Sequence, residues 1–126
     1  MTSDVTVSVP ARPDFVRLLR AVVSSVGARL DMTYDRIDDL RIAVDEACAQ
    51  LLATAAGSIT MRVTPADGRV IVNVCADAEV DPDAWPPPDV EESLAWRILA
   101  GLADEVHFEL SEEGPVVRVE VQVQPA

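Results

Sequence analysis

The chain has 126 residues, of which 49% are hydrophobic and 25% charged, and its formal net charge is −12. This length suits one domain, and the apolar content supports a packed core and excludes a disordered chain. The negative field repels nucleic acid and anionic lipid, so we expect neither a direct nucleic-acid partner nor a membrane partner.

The first part of the chain predicts a strand followed by a helix. Val5, Val7 and Val9 alternate with polar residues, as in a short strand. Pro13 suits the first turn of a helix, and apolar residues then repeat at helical spacing. Gly27 is the predicted end of this first helix.

A second helix is expected over residues 34–55, with Thr33 or Asp35 capping its start. The residues that recur at about 100° per residue, and that we expect to face a sheet, are Ile37, Leu40, Val44, Ala47, Cys48, Leu51 and Leu52. The residues on its other side are mostly small and apolar, namely Ile42, Ala43, Ala49 and Ala53. Glu46 and Gln50, four residues apart, share that side. Either a ligand, a lid or a partner packs there, or the surface is an exposed alanine-rich helix.

The second half predicts two hairpins separated by a loop and a helix. Residues 58–64 and 69–76 form the first hairpin, and a proline-rich loop follows over 77–90. A third helix is expected over 91–103. Its predicted core residues are Leu94, Ala95, Ile98 and Leu102, with Trp96 roughly opposite them.

The last two strands are expected over 105–110 and 115–124, joined by a turn at 111–114. The order β-α-α-β-β-α-β-β predicts an α/β (α+β) two-layer sandwich with a mixed, largely antiparallel sheet and helices on one face. We expect one domain over residues 1–126. The start lacks a basic region followed by an apolar stretch, so we expect no signal peptide and a cytoplasmic protein.

Three stretches carry a resemblance to a known family. They are DLRIAVDEAC at 39–48, VNVCAD at 72–77 and LAWRILAGLADEV at 94–106. Together they resemble the ATP-binding anti-sigma factors with serine-protein kinase activity, of the histidine-kinase-like ATPase superfamily. The resemblance implies that superfamily's fold, and ATP and magnesium as the cofactors.

The resemblance also implies roles for three residues. Glu46 matches the catalytic general base. Gln50 stands where the family has an asparagine that binds nucleotide-bound magnesium, and Asp77 matches the aspartate that binds adenine. No glycine follows Asp77 in 78–81, and Glu-Glu-Ser at 91–93 replaces the family's Gly-x-Gly phosphate loop. We therefore expect nucleotide binding to be weak or lost.

The partners implied by the resemblance are a sigma factor, an anti-anti-sigma protein and a second copy in a homodimer. The principal hypothesis is an anti-sigma regulator that acts by contact. One alternative is an active ATP-dependent serine kinase that phosphorylates the antagonist. Another is a regulator that binds some other protein or a small molecule.

The remaining chemistry-bearing residues give weaker signals. Trp85, among prolines, predicts a stiff lid or partner-binding loop, and Trp96 is a candidate partner-binding residue or a filler of the nucleotide space. Trp96 is alternatively a tryptophan lying over local apolar surface. His107 reads as a surface or half-buried strand residue, and Cys48 and Cys75 as free thiols.

Overall fold

The computed structural model of the chain describes residues 4–54 and 56–124. Its elements in chain order are β1 (Val5–Pro10), α1 (Val16–Arg29), α2 (Tyr34–Leu52), β2 (Ser58–Ala66), β3 (Arg69–Ala76), α3 (Leu94–Leu102), β4 (Glu105–Leu110) and β5 (Pro115–Gln122). Single 3-10 turns precede α1 and α3, at Pro13–Phe15 and Val90–Glu92. The order of helices and strands is the predicted one.

The five strands form one sheet in the order β1-β2-β3-β5-β4. Every pairing among the described strands is antiparallel. The α+β prediction is confirmed, although these strands include no parallel pair. Alternate side chains of the three central strands are buried beneath the helices, and the intervening ones lie on the sheet's other face, which we call the helix-free face.

The start of α2 is set by the predicted cap, because the Thr33 hydroxyl accepts a hydrogen bond from the backbone N–H of Arg36 at 3.2 Å. The predicted end of α1 at Gly27 is wrong. The helix continues to Arg29, and Gly27 is buried where a Cβ would lie only 2.9 Å from Cγ1 of Ile37. This glycine allows α1 and α2 to approach closely and does not terminate a helix.

Two predictions of buried helix faces need correction. Ala43, placed on the open side of α2, is fully buried, because α1 and α3 both pack on α2 and widen its covered arc. Leu94 is 72% exposed and Leu99 is the fully buried residue of α3. The helix begins only at Leu94, after the 3-10 turn, so its first residue lies at the rim of the contact.

None of the described helices is long and apolar enough to cross a lipid bilayer.

Candidate functional site

Glu46 and Gln50 lie on the outer part of α2 and are both half-buried. Their helical spacing places them on one side of the helix, as predicted. Beside them Ala49 is exposed, and Ile42 is 48% exposed. The exposed side chains beside Glu46 and Gln50 are therefore apolar, and they are accessible to a ligand or a partner.

Asp77 directly follows β3 at one end of the sheet. Its backbone N–H donates to the Ser58 carbonyl at 2.9 Å, and its carbonyl accepts from Gly57 at 3.3 Å. The exposed side chain lines an open cleft of about 510 Å³ together with residues 78–80 and 110–114. The predicted adenine-binding aspartate is thus at the mouth of a cleft large enough for a small ligand.

The cleft beside Asp77 is strongly acidic. Glu79, Glu112 and Glu113 also line it, and its described lining contains no lysine or arginine. A cluster of carboxylates with no basic side chain among them repels phosphate groups. The charge of this cleft suits neutral or cationic groups better than a triphosphate.

The β4–β5 turn supplies half of this cleft and was missed as part of a site. The Ser111 hydroxyl donates to the Gly114 carbonyl at 2.9 Å, which fixes the turn. Gly114 has a φ of 147°, and a Cβ there would overlap the Ala76 carbonyl oxygen. Glycine at the end of the predicted turn indicated a positive φ or a close backbone approach at this position, but it did not indicate which segment lies there.

Trp85 is buried and is not a surface residue. It is 4% exposed, its ring stacks on Phe108 with centroids 5.4 Å apart, and its Nε1–H donates to the Glu109 carbonyl at 2.7 Å. Because the indole is buried, it is not itself accessible to a partner, and the predicted role of the loop as a stiff lid or a partner-binding segment stays a prediction. The indole instead anchors the loop after β3 to the edge strand β4.

Trp96 also lies toward the core, and not on the opposite side of α3 as predicted. Its ring centroid is 6.0 Å from that of Phe108, and the side chain remains half-buried. The partly open ring keeps the partner-binding role of Trp96 as a prediction.

Three backbone amides around the start of α3, those of Glu92, Ser93 and Trp96, donate hydrogen bonds inside the chain. Glu92 N–H donates to the Asp89 carbonyl at 2.9 Å, and Ser93 N–H donates to the Val90 carbonyl at 3.0 Å. The Ser93 hydroxyl accepts from the Trp96 N–H at 3.1 Å and caps the helix. A phosphate-binding helix start would instead leave such amides free for the ligand.

These residues do not fit a magnesium–triphosphate group. Gln50 is one methylene longer than the asparagine that the resemblance calls for, and magnesium tolerates little distortion of its octahedral ligands. The Asp77 cleft is lined by carboxylates. Three of the backbone amides around the start of α3, those of Glu92, Ser93 and Trp96, already donate to acceptors in the chain.

Asp45, the neighbour of Glu46, pairs with Arg20 of α1 at 3.1 Å. Its Oδ1 is buried although the side chain as a whole is 43% exposed. Burial raises the pKa of Asp45, and the positive charges of Arg20 and Arg41 only partly oppose that change. Sequence reasoning missed this pair because no local pattern links α1 to the middle of α2.

The two thiols are free, as predicted. Cys48 is buried in α2, and burial raises its pKa to about 12, with a smaller contribution from the Asp45 charge. Burial also raises the pKa of Cys75, whose Sγ lies 3.8 Å from the Ser111 hydroxyl. Neither thiol has the lowered pKa of a reactive cysteine.

Residues 9–121 match the family model of the histidine kinase-like ATPase domain. The chain belongs to this family. The resemblance drawn from the motifs at 39–48, 72–77 and 94–106 is confirmed by this match.

The chain is similar in sequence to anti-sigma factors and serine-protein kinases of bacteria. The chain is 35% identical to the anti-sigma-F factor RsbW of Mycobacterium tuberculosis (strain H37Rv) over 104 residues, which are 81% of this chain and 59% of the relative. It is 43% identical to the serine-protein kinase RsbW of Bacillus subtilis over 51 residues, 40% of this chain and 32% of the relative. The aligned part therefore spans less than two thirds of either relative.

A longer alignment joins the chain to the serine-protein kinase RsbW of Bacillus licheniformis, at 26% identity over 120 residues. It covers 80% of this chain and 74% of that relative. The similarity to these regulators therefore extends well beyond the α2 motif.

Proposed function

We propose that this protein is an anti-sigma regulator that sequesters a sigma factor by direct contact and is countered by an anti-anti-sigma protein. Two observations together carry the proposal. Similarity to an anti-sigma factor extends over 81% of the chain, while the cleft beside Asp77, the predicted adenine-binding residue, is lined by carboxylates that repel phosphate groups. Nucleotide binding is weak or lost in this proposal, and the regulator acts in the cytoplasm, where sigma factors act.

The exposed side chains at the start of α3 suit a protein that acts by binding a partner and not by catalysing a reaction. Leu94 at the start of α3 is 72% exposed, and Trp96 two residues later presents part of its ring. Partly open aromatic and aliphatic side chains are typical anchors of protein interfaces. The net charge of −12 accelerates encounter with a basic partner surface. We propose this part of α3 as a contact surface, in a protein that is a homodimer.

The test is binding of the purified protein to each sigma factor of its host, with ATP and magnesium present or absent. We expect one or more sigma factors to bind without nucleotide, and an anti-anti-sigma protein to displace them. Light scattering of the free protein reports the dimer. Binding to none of the sigma factors, or binding only with ATP and magnesium, contradicts the proposal.

A matched pair of variants tests the surface on α3. Trp96→Ala should weaken sigma binding at least about tenfold, as expected for an anchoring aromatic. Tyr34→Ala, which removes a side chain 89% exposed at the start of α2, should bind as the wild type does. Circular dichroism confirms folding of both, because Trp96 also packs near Phe108. Equal binding by the two variants rejects the α3 surface.

The alternative is an active serine kinase, which the position of Glu46 and the 43% identity to a serine-protein kinase over 51 residues favour. Glu46 would accept the proton of the attacking serine hydroxyl of the antagonist. Incubation with labelled ATP, magnesium and the antagonist measures this activity. Phosphorylation that Glu46→Gln abolishes would establish the kinase and reject contact as the sole activity.

A further inference from the structure

Three metal-ligating side chains meet on the helix-free face of the sheet, away from the Asp77 cleft. Glu105 and His107 are on β4, and Glu120 is on β5. One ligand atom from each residue lies within 4.8 Å of those of the other two. Nothing in the proposed anti-sigma function uses this cluster.

Strand register explains why these residues come together. Glu105 and Glu120 are direct cross-strand partners, and His107 is two residues along β4 on the same face. Val106 between them is buried in the core, which directs Glu105 and His107 to the opposite face. The cluster is therefore fixed by the backbone of a paired hairpin and not by a flexible loop.

The cluster carries an unfavourable charge arrangement. Two carboxylates directly opposite each other on paired strands repel. Glu120 is only 8% exposed, and its buried Oε1 accepts no hydrogen bond from the described residues, although it forms an ion pair with Arg69. Arg69 Nη1 approaches that oxygen to 3.2 Å, but its side chain is 47% exposed and supplies a single positive charge.

The neighbouring charges leave room for a further cation. His107 Nε2 lies 3.4 Å from Oε1 of Glu105. Arg118, the cross-strand partner of His107, is engaged with Glu109 at 3.3 Å. The cluster thus holds two carboxylates and one imidazole. Among the described side chains, Arg69 is the only arginine or lysine with a nitrogen within 4 Å of these carboxylate oxygens.

We propose that Glu105, His107 and Glu120 bind a divalent transition-metal ion of the zinc class. Imidazole and carboxylate together suit zinc, whereas magnesium prefers an all-oxygen set. Three protein ligands leave a coordination position for water or for a ligand from another molecule. The bound ion neutralises the opposed glutamates and ties the edge strand β4 to β5.

Calorimetric titration of the tag-free protein with ZnCl2, in a non-chelating buffer containing excess MgCl2, tests this site. We expect one zinc ion per chain. His107→Ala and Glu120→Gln should each weaken binding at least about tenfold, because losing even a partner that only orients a ligand typically costs about 10–100-fold in metal affinity. Arg69→Ala should strengthen binding, because it removes the cation that competes for Glu120.

Two control variants separate this cluster from other zinc-binding groups. Glu109→Gln removes a carboxylate from the same strand and face but outside the cluster, and Cys75→Ser removes the half-buried thiol. Both should bind zinc as the wild type does. Absence of binding at millimolar zinc, unchanged binding in His107→Ala and Glu120→Gln, or loss of binding in either control overturns the proposal.

Discussion

Trp85 donates its Nε1–H to the Glu109 carbonyl oxygen across 2.7 Å, joining the loop after β3 to the edge strand β4. The same indole stacks on Phe108, so one side chain supplies both a hydrogen bond and apolar packing. A loop held in this way is less free to wrap around a ligand beside Asp77. Residues 78–81 contain no glycine either, so this loop has little freedom to fold over a nucleotide, which supports the proposed weak or absent nucleotide binding.

Replacing Trp85 should destabilise the whole domain. We expect Trp85→Ala to lower the free energy of unfolding by about 3 kcal/mol, because a buried aromatic ring is lost. Trp85→Phe should cost less, about 1–2 kcal/mol, since it removes chiefly the indole donor. Denaturant unfolding measures both. Asp83→Ala, at an exposed position of the same loop, is the control and should change little. A loss below about 1 kcal/mol for Trp85→Ala would show that the loop is not anchored by this ring.

Two helical glycines should respond oppositely to alanine. Gly101→Ala in α3 should stabilise by up to about 1 kcal/mol, because alanine favours a helix and the new Cβ meets nothing within 4 Å. Gly27→Ala should destabilise, since its Cβ would lie 2.9 Å from Cγ1 of Ile37 and such overpacking costs about 1–3 kcal/mol. Thermal and denaturant unfolding of the pair compare the two effects. Equal stabilisation of both variants would contradict the close approach of α1 and α2.

ATP with magnesium should leave the stability of the wild type unchanged at millimolar concentration. A ligand present at about 100 times its dissociation constant would stabilise the fold by about 2.7 kcal/mol, which is easily detected. Thermal melting with and without nucleotide measures the effect. A clear stabilisation that disappears in Asp77→Asn but persists in Asp83→Asn would place nucleotide in the Asp77 cleft and reject the weak-binding proposal.

The raised pKa of Asp45 predicts a pH dependence of stability. The folded state holds this proton more tightly than the unfolded state, so its contribution to the free energy of unfolding is present below the ordinary aspartate pKa of 3.8 and is lost as pH rises through the raised pKa of the folded state. The wild type should therefore lose stability relative to Asp45→Asn as pH rises across that window. Unfolding of both proteins in a pH series measures the difference, in which shared titrations cancel. A difference that grows in favour of the wild type would mean that the Arg20 pair outweighs burial.

Local sequence patterns predicted the helices and strands well where the spacing of hydrophobic residues fits only one kind of secondary structure. The alternating valines of β5 and the Thr33 cap of α2 are confirmed in the structure. The turn predicted at 111–114 is confirmed, and its centre already implies that Glu105 opposes Glu120. The cluster of Glu105, His107 and Glu120 could therefore have been predicted from the register of the hairpin, but no sequence motif indicated it.

Predictions failed where a residue's surroundings come from distant parts of the chain. Ala43 is buried because two other helices cover α2, and Leu94 is exposed because α3 begins later than its periodicity suggests. The loop containing Trp85 gives no sign that Phe108 and Glu109 will receive its indole. Such contacts depend on packing between elements and not on spacing within one.

The sequence by itself determined the strand and helix order, the acidic charge and the family motif around Glu46, because these follow from residue types at fixed local spacing. Only the tertiary structure decided that Trp85 is a core residue, that the Asp77 cleft is walled by a distant acidic turn, and that Asp45 is paired with Arg20. Burial and electrostatic environment are properties of side chains brought together by folding, so no local pattern specifies them.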